Sequence, residues 1–351
     1  MGTGMSLKGK KNPRAEQNPL NITFIKNVGT NSFANEILDN NFIVFKSLHN
    51  IIYLIYYDSS KSITSYNLIT FQIINKIRTS PDEDVSNLRH FQDRKNKRDL
   101  FISISKDNNS IKLWNVNILK CLLNIKNLYS MGYLYSACFL HEKNSDQNFI
   151  IISNYNKFNN CQPIKVLDFS GKIIGEINNS KSNVLYIDSF YDKKSGRDFI
   201  ITGNRGCIKS YDFNQNKIYH KYSENDIYGH YSLVVNDMEK NIKLIESSMD
   251  GNIRIWNFHS GKLIKKIRVN DEGVYGVCLW DVNFLFVGCR ENGVDKKIKI
   301  VDIKNGKIVK ELVNHRDNVL CIKKIKIPKY GKCILSQGHG LDGIKLWGIK
   351  S

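Results

Sequence analysis

The sequence has little of what marks a disordered, secreted or membrane-spanning chain. Only 5 of its 351 residues are proline, which argues against a low-complexity chain. No apolar run approaches the roughly 18 residues that cross a bilayer, and the longest is Ile51–Tyr57. The N-terminus is polar and basic, without the apolar segment of a signal peptide. We therefore expect a folded cytoplasmic protein.

Motifs that carry chemistry are also missing. The eight histidines show no metal-binding spacing, and the eight cysteines include no C-x-x-C pair. Buried, reduced thiols are expected rather than disulfides or a zinc site. There is no nucleophile elbow, phosphate-binding P-loop or dinucleotide fingerprint. We therefore predict no catalytic residue, no cofactor and no metal site.

What the chain does contain is a recurring hexapeptide, best seen as Ile-Lys-Leu-Trp-Asn-Val at 111–116. Its seven copies begin at Ile63, Ile111, Ile164, Ile208, Ile253, Ile298 and Ile344. The copies are 44 to 53 residues apart, and a period in the forties is typical of repeat architectures. The first position is always Ile, the second usually Lys and the fourth usually aromatic. We interpret the hexapeptide as a packing element rather than a binding motif.

Each repeat has the same order of strand signals. A short apolar run such as Leu100–Ser105 precedes the hexapeptide, as expected for a strand covered on both faces. A turn with Gly or Asn then leads to a more polar strand such as Leu263–Val269, which we expect to be outermost. A further strand such as Val184–Phe190 opens each unit. Four strands in each of seven repeats predict an all-β, seven-bladed β-propeller of four-stranded antiparallel blades.

The sequence resembles the WD-repeat β-propeller family over about residues 20–349. The pairs Trp114-Asn115 and Trp256-Asn257 correspond to the Trp-Asp pair of that family. Gly229-His230 and Asn314-His315 correspond to its Gly-His pair. A kelch-type propeller is less similar, because the chain has no Gly-Gly pair.

This resemblance implies buried networks of His, Asp, Ser and Trp that hold the blades together. In the fifth repeat the residues would be His230, Asp250, a serine of Ser247/Ser248, and Trp256. In the seventh repeat they would be His315, Ser336, Asp342 and Trp347. The other repeats lack the histidine, so their networks are expected to be incomplete or replaced.

The seventh hexapeptide is not followed by a fourth strand, whereas Leu20–Asn27 alternates apolar and polar residues before the first repeat. We predict that this N-terminal strand completes the last blade and removes an open sheet edge. Deleting residues 1–28 should then sharply lower the melting temperature, whereas deleting 1–17 should not. The predicted domains are a flexible basic tail over 1–18 and the propeller over 19–351.

The tail carries one modification signal. Its first six residues, Met-Gly-Thr-Gly-Met-Ser, fit the acceptor pattern for N-myristoylation of Gly2. A single acyl chain binds membranes weakly and needs a second signal. A basic cluster that could serve as this signal follows at Lys8, Lys10, Lys11 and Arg14.

The net charge of +19 is compatible with an acidic partner such as RNA or an anionic membrane. However, the lysines recur once per repeat instead of forming one stripe. Two basic stretches stand out, each of them either a solubilising loop or a contact for acidic protein, RNA or lipid head groups. The first holds Arg89, Arg94, Lys95, Lys97 and Arg98. The second holds Lys323, Lys324, Lys326, Lys329 and Lys332.

The sequence as a whole favours a non-enzymatic scaffold or adaptor that docks other proteins on the propeller faces within a larger complex. Two alternatives stay open. The first is a basic propeller associated with RNA or ribonucleoprotein, and the second is an N-myristoylated peripheral membrane scaffold. No readout of DNA sequence is expected. The sequence does not identify the partner proteins or the face that binds them.

Overall fold

Short apolar runs separated by tight turns fold into seven four-stranded antiparallel sheets. The computed structural model describes residues 17–29, 42–80, 83–106, 108–156, 162–178, 183–224, 229–238, 241–290 and 296–349. For 230–238 and 341, the backbone alone is described. Gly2, the rest of the predicted tail up to residue 16, and Cys161 lie outside the described residues.

A 3-10 turn (Pro19–Asn21) and strand β1 (Thr23–Gly29) precede the first blade. The first four blades each use four consecutive strands, in the order first, second, third and outermost. Blade 1 has β2 (Phe42–Lys46), β3 (Ile52–Asp58), β4 (Ser62–Asn67) and β5 (Gln72–Arg78). Blade 2 has β6 (Val85–Asp93), β7 (Arg98–Ser105), β8 (Ser110–Asn115) and β9 (Lys120–Ile125). Blade 3 has β10 (Tyr133–Glu142), β11 (Gln147–Tyr155), β12 (Ile164–Leu167) and β13 (Ile173–Ile177). Blade 4 has β14 (Val184–Asp192), β15 (Arg197–Asn204), β16 (Cys207–Asp212) and β17 (Lys217–Tyr222).

The last three blades continue this pattern, with one exception in blade 7. Blade 5 has β18 (His230–Met238), β19 (Asn241–Ser248), β20 (Asn252–Asn257) and β21 (Leu263–Arg268). Blade 6 has β22 (Gly273–Leu279), β23 (Phe284–Arg290), β24 (Lys296–Asp302) and β25 (Lys307–His315). Blade 7 has β26 (Val319–Ile327), β27 (Gly331–Gly338) and β28 (Ile344–Gly348), and its outermost strand is β1.

The N-terminal strand therefore closes the ring, as predicted. Thr23 pairs with Gly348 and Phe24 with Trp347, in antiparallel register. The strand starts three residues later than expected, because Pro19 begins a 3-10 turn that Asn18 caps through its side chain. Gln17, assigned to the tail on sequence, contacts the propeller: its carbonyl accepts from Trp280 Nε1 at 3.2 Å.

The hexapeptides form the third strand of every blade, and their first-position isoleucines are at most 1% exposed. The sheet order also places the predicted outer strands outermost. Turns before these strands use the left-handed conformation expected of Gly and Asn, as at Gly261 (φ +66°) and Asn216 (φ +51°). The packing role of the hexapeptide is thereby confirmed.

The first strands of the seven blades contact one another in a closed ring and line the central channel. The turns between first and second strands and between third and fourth strands lie on one face, which we call the lower face. The turns between second and third strands and the connections between blades lie on the opposite, upper face. These two faces and the channel are the surfaces that the closed ring presents to its surroundings.

Three further observations bear on function. Within the described ranges, helix is limited to two three-residue 3-10 turns, and neither could cross a bilayer. The cysteines found there form no disulfide bonds, and all but Cys121 are buried. No three His, Cys, Asp or Glu side chains in the described part of the chain are close enough to hold a metal ion.

Candidate functional site

The four residues that the family resemblance implied for the seventh repeat are joined by hydrogen bonds: three lie in blade 7, and His315 ends β25 of blade 6. Trp347 Nε1 donates to Ser336 Oγ at 2.7 Å, and that oxygen lies 2.6 Å from His315 Nε2. The other ring nitrogen of His315 lies 2.5 Å from Asp342 Oδ2. The side chains of His315 and Asp342 are 0% and 3% exposed. The arrangement fastens the third strand of blade 7 to the turns around it and leaves no group free to meet a ligand.

The electrostatics of this network favour a neutral His315 and a charged Asp342. Burial lowers the pKa of His315, so the ring donates from Nδ1 to the carboxylate and accepts from Ser336 at pH 7. Burial acts to raise the pKa of Asp342, but hydrogen bonds from His315 and Lys345 outweigh it and lower that pKa to about 2. Lys345 Nζ lies 2.7 Å from Asp342 Oδ1.

In blade 5 the predicted serine is wrong. Trp256 Nε1 donates instead to Glu246 Oε2 at 3.1 Å, and Ser247 Oγ donates to a backbone carbonyl of blade 6 at 2.6 Å. The cause is the strand register. The residue opposite the second hexapeptide position accepts from the tryptophan, and in blade 5 that residue is Glu246, which pairs with Arg254. Ser247 is the next residue along the strand, so its side chain points to the other face of the sheet.

Asp250, the predicted carboxylate of blade 5, pairs with a buried arginine. Arg254 stands at the second hexapeptide position and is 1% exposed. Its guanidinium pairs with Glu246 at 3.2 Å and also with Asp250 and Glu224. Burial opposes the charge of Asp250, but hydrogen bonds, one of them from Arg254, lower its pKa to about 2. The side chain of His230, the predicted histidine of this network, is not among those that the structure describes.

Second-position lysines of other blades also turn into the protein. Lys112 Nζ lies 2.5 Å from Glu83 Oε2. Lys165 and Lys299 donate to backbone carbonyls at 2.5 and 3.1 Å, and burial lowers the pKa of Lys209. Part of the net positive charge is therefore held between the blades, where a partner cannot reach it.

The central channel holds a cavity of about 450 Å³ near the lower face. The first strands of blades 1 to 4 and of blade 7 supply its wall. Aromatic side chains form part of that wall: Phe91, Phe139, Phe190 and Tyr191. Phe91 and Phe139 stack with ring centroids 5.0 Å apart. The sequence showed these residues only as apolar positions in separate strands, so their convergence could not be seen before the ring was closed.

Arg89, predicted as a surface contact, points into this channel instead. Its Nε donates to the carbonyl of Ala137 at 3.1 Å and its Nη2 to the carbonyl of Ile187 at 3.0 Å. Burial opposes its charge, but Tyr186 and Asp188 outweigh burial and raise its pKa. Because strand residues alternate in direction, a basic residue in a first strand can face the axis. Arg89 thus links blades 2, 3 and 4 and forms part of the cavity wall.

His90 also lines the cavity and is held on two sides. Its ring stacks on Phe45 with centroids 3.5 Å apart, and its Nε2 lies 2.9 Å from Asp99 Oδ1. Burial lowers the pKa of His90, so the ring is neutral at pH 7 and donates to that carboxylate. The carboxylate also accepts the backbone N–H of Leu48 at 2.8 Å. These bonds fix the ring rather than leave it poised for proton transfer.

Exposed cations surround the lower mouth of the cavity, and we call them the basic collar. They lie on the turns between the first and second strands of blades 2, 3 and 4: Arg94, Lys95, Lys97, Lys143, Lys193 and Lys194. Arg197, at the start of β15, is also exposed but lies 3.4 Å from the buried Asp212. Lys95 lies 3.0 Å from Asp146, with both side chains at least 60% exposed. Such exposed pairs contribute little. The collar therefore keeps most of its charge available for a partner.

The remaining predicted basic residues divide between structural and surface positions. Arg98 Nε donates to Asp93 Oδ2 at 2.8 Å at the base of its turn. Lys324 Nζ donates to the carbonyl of Trp280 at 2.8 Å, whereas Lys323 lines the cavity. The two basic stretches are therefore only partly surface patches. The first supplies Arg94, Lys95 and Lys97 to the collar; the second supplies Lys323 to the cavity wall and leaves Lys326 and Lys329 exposed.

Comparisons with known proteins give limited similarity. No protein-family model matches the chain. A stretch of 76 residues, 22% of this chain, is 30% identical to a protein of Schizosaccharomyces pombe described as U3 small nucleolar RNA-associated protein 21 homolog. That stretch covers 8% of the length of the yeast protein. The chain folds as a seven-bladed β-propeller, and its repeats support the WD-repeat type.

Proposed function

We propose that the protein is a non-catalytic scaffold that docks acidic segments of partner proteins at the lower mouth of its channel. The observation that carries the proposal is the cavity of about 450 Å³ with the basic collar around it. Pockets of about 300–1,000 Å³ accept a ligand or several side chains. A partner with an apolar residue between acidic ones would match both the aromatic wall and the collar.

The collar favours association by its position as well as its charge. Lys143 both belongs to the collar and lines the cavity, so positive charge stands where a partner would enter. Electrostatic steering of this kind raises association rates by about 10- to 1,000-fold and falls with ionic strength. A preorganised ring favours affinity because it loses little conformational entropy when a partner binds.

The bonding around the cavity supports a role without catalysis. His90 is tied to Asp99 and stacked on Phe45, and Arg89 is tied to two carbonyls. His141 Nδ1 lies 2.7 Å from Asn148 Oδ1. A general acid or base needs a reachable proton and a matched pKa, and these side chains are instead occupied by structural partners.

Affinity purification with mass spectrometry at about 150 mM salt tests the proposal, with and without nuclease. The collar variant K95E/K143E/K194E should lose the partners that the wild-type protein retains after nuclease treatment. The matched control K172E/K217E/K262E reverses three exposed lysines beside the turns that lead to outer strands and should keep those partners. Equal recovery with the collar variant would contradict docking at the channel mouth.

A second candidate is association with RNA or ribonucleoprotein. The net charge of +19 favours it, as does the short similarity to a protein named for a small nucleolar RNA. Filter binding to a structured RNA at about 50 and 200 mM salt separates the two candidates. RNA binding that weakens steeply with salt and with the collar substitutions would support this second function. No binding at low salt would remove it.

Two expectations remain proposals. A cytoplasmic location can be tested by cell fractionation, and recovery in the nucleolar fraction would instead accord with the nucleolar RNA in the name of the yeast relative. Myristoylation of Gly2 can be tested by the intact mass of protein made in its own cells. An unmodified N-terminus would remove the membrane scaffold as an alternative.

A further inference from the structure

Aromatic side chains fill the interfaces between most neighbouring blades on the lower face. The sixth hexapeptide position supplies several of them, and each packs on the preceding blade. Phe213 of blade 4 lies 5.6 Å from Phe149 of blade 3, and Phe258 of blade 5 lies 5.7 Å from Phe190 of blade 4. Rings of this kind bury about 150–250 Å² each. They occupy the widening space between two twisted sheets.

The interface between blades 5 and 6 lacks such a ring. The sixth hexapeptide position of blade 6 is Ile303. Among the described residues, the core of this interface consists of aliphatic side chains and a cysteine. The other large core clusters of the described residues each contain at least one aromatic side chain. An isoleucine is smaller than a phenylalanine, so the sheets leave space that no side chain of this interface fills.

The space is a cleft of about 470 Å³ between the two blades, open on the lower face. Its floor includes the buried residues Ile245 and Ile255. At its rim Ile264 and Val282 are 50% and 51% exposed. An apolar floor and an apolar rim in one concave site are the features that bind an apolar side chain from outside.

Three lysines stand around the cleft: Lys243, Lys265 and Lys304. Lys265 Nζ reaches across to the third-to-fourth-strand turn of blade 6, where it donates to the carbonyls of Ile303 and Lys304 at 3.0 and 2.5 Å. Within the described residues, none of the three lysines forms an ion pair and no acidic side chain lines the cleft. The site is therefore apolar at its centre and cationic at its edge.

We propose that this cleft binds a segment of a partner protein with an aromatic anchor flanked by aspartate or glutamate. The anchor would take the place that Phe213 and Phe258 take in their own interfaces, and the acidic residues would face the three lysines. This inference rests on the proposed scaffold function but uses a different surface from the channel mouth. It therefore adds a second docking site on the lower face.

Ile303→Phe is the decisive variant, because it places inside the cleft the ring that other blades already carry. Phenylalanine is native at this position in blades 3 to 5, and the cleft has room for it. The variant should fold and melt at or above the wild-type temperature while closing the cleft to a partner. The surface variant K243E/K304E reverses two of the three lysines at the edge without touching the core.

The probe is a library of random 15-residue peptides displayed on phage, selected on the intact protein and counter-selected on Ile303→Phe. We expect enrichment of peptides with Phe, Trp or Tyr beside Asp or Glu. A synthetic peptide of the enriched sequence should bind Ile303→Phe at least about tenfold more weakly, as for loss of an anchor residue. K243E/K304E should weaken binding of the peptide several-fold, and this effect should be smaller at high salt. The control K172E/K217E should leave binding of the peptide unchanged.

Several results would overturn the proposal. One is a selection that enriches no peptide with a preference for the wild-type protein over Ile303→Phe. Another is an enriched peptide without acidic residues, or one that binds all variants equally. A dimer that Ile303→Phe abolishes would show that a second copy fills the cleft. The collar variant K95E/K143E/K194E separates this proposal from the scaffold function, because it should bind the peptide normally even if it loses partners.

Discussion

Replacing Asp342 by asparagine tests how strongly the buried network of blade 7 holds the ring together. The substitution removes the charge that faces His315 and Lys345, and the Lys345 side chain is 5% exposed. A buried charge that loses its partner costs about 3–5 kcal/mol. The fall in the pKa of Asp342 from 3.8 to about 2 corresponds to about 2 kcal/mol. Since Lys345 keeps the carbonyl of Asn314 as an acceptor, we expect a loss of about 3 kcal/mol.

Urea unfolding followed by tryptophan fluorescence measures this loss as a lower midpoint at unchanged slope. The expected drop in melting temperature is about 4 °C, because the entropy of unfolding of a chain this long is large. A double-mutant cycle with Lys345→Met isolates the ion pair. Once Asp342 is gone, removing the buried lysine should cost nothing or restore stability, with a coupling energy of at least about 1 kcal/mol. Strict additivity of the two substitutions would refute the reasoning.

The same variant has a defined pH dependence. The pKa of Asp342 is depressed in the folded state, so its contribution is present above about pH 4 and is lost as the pH falls towards 2. The stability gap between wild type and Asp342→Asn should therefore shrink over that range. His315 also has a lowered pKa, so its contribution is lost as the pH falls below about 6.5. A gap that stays constant between pH 5 and 3, measured by urea midpoints, would contradict the assigned charges.

The remaining predictions concern ring closure and two tryptophan partners. Deleting residues 1–28 should lower the melting temperature sharply, because it uncovers the edge of blade 7. Deleting 1–16 should leave the melting temperature unchanged, and this bound replaces 1–17 because Gln17 accepts a hydrogen bond from Trp280. Equal melting temperatures of the two truncated proteins in calorimetry would refute closure by β1. Glu246→Ala should destabilise by about 3–5 kcal/mol, since Arg254 loses a buried partner, and the double variant Glu246→Leu/Arg254→Met should recover much of the loss in urea unfolding. Ser103→Ala should cost about 1–3 kcal/mol, because it leaves a buried tryptophan N–H without its acceptor; an unchanged urea midpoint would contradict that role.

The blade architecture was predictable because its signals are local. Turn residues and apolar periodicity fix each strand within its own repeat, and β8 (Ser110–Asn115) coincides with its hexapeptide to within one residue. Closure was predictable as well, since Leu20–Asn27 was the one strand signal without a blade. Hydrogen-bond partners were harder. In blade 5 the expected serine lies one position along the strand from Glu246, the residue that accepts from Trp256.

Side-chain direction explains most of what the sequence did not show. Arg89 belongs to a run of basic residues, yet its place in a first strand directs it towards the axis. Lys112 and Arg254 stand at the repeated second hexapeptide position, yet both turn inward to buried carboxylates. In a strand covered on both faces, the alternation of apolar and polar residues cannot tell which polar residues find an internal partner. Only the packed neighbours decide that, and for Arg89 they come from two other blades.

The cations that remain exposed therefore say more about binding than the total charge does. The basic collar and the lysines of the blade 5–6 cleft both lie on the lower face. On the upper face the exposed Asp271 pairs with Arg268, and Asp317 lies 3.2 Å from His339. We therefore expect an acidic partner to be attracted mainly to the lower face. Because each docking site uses only a few cations, we expect moderate salt dependence, well below that of a protein whose whole net charge of +19 met its ligand.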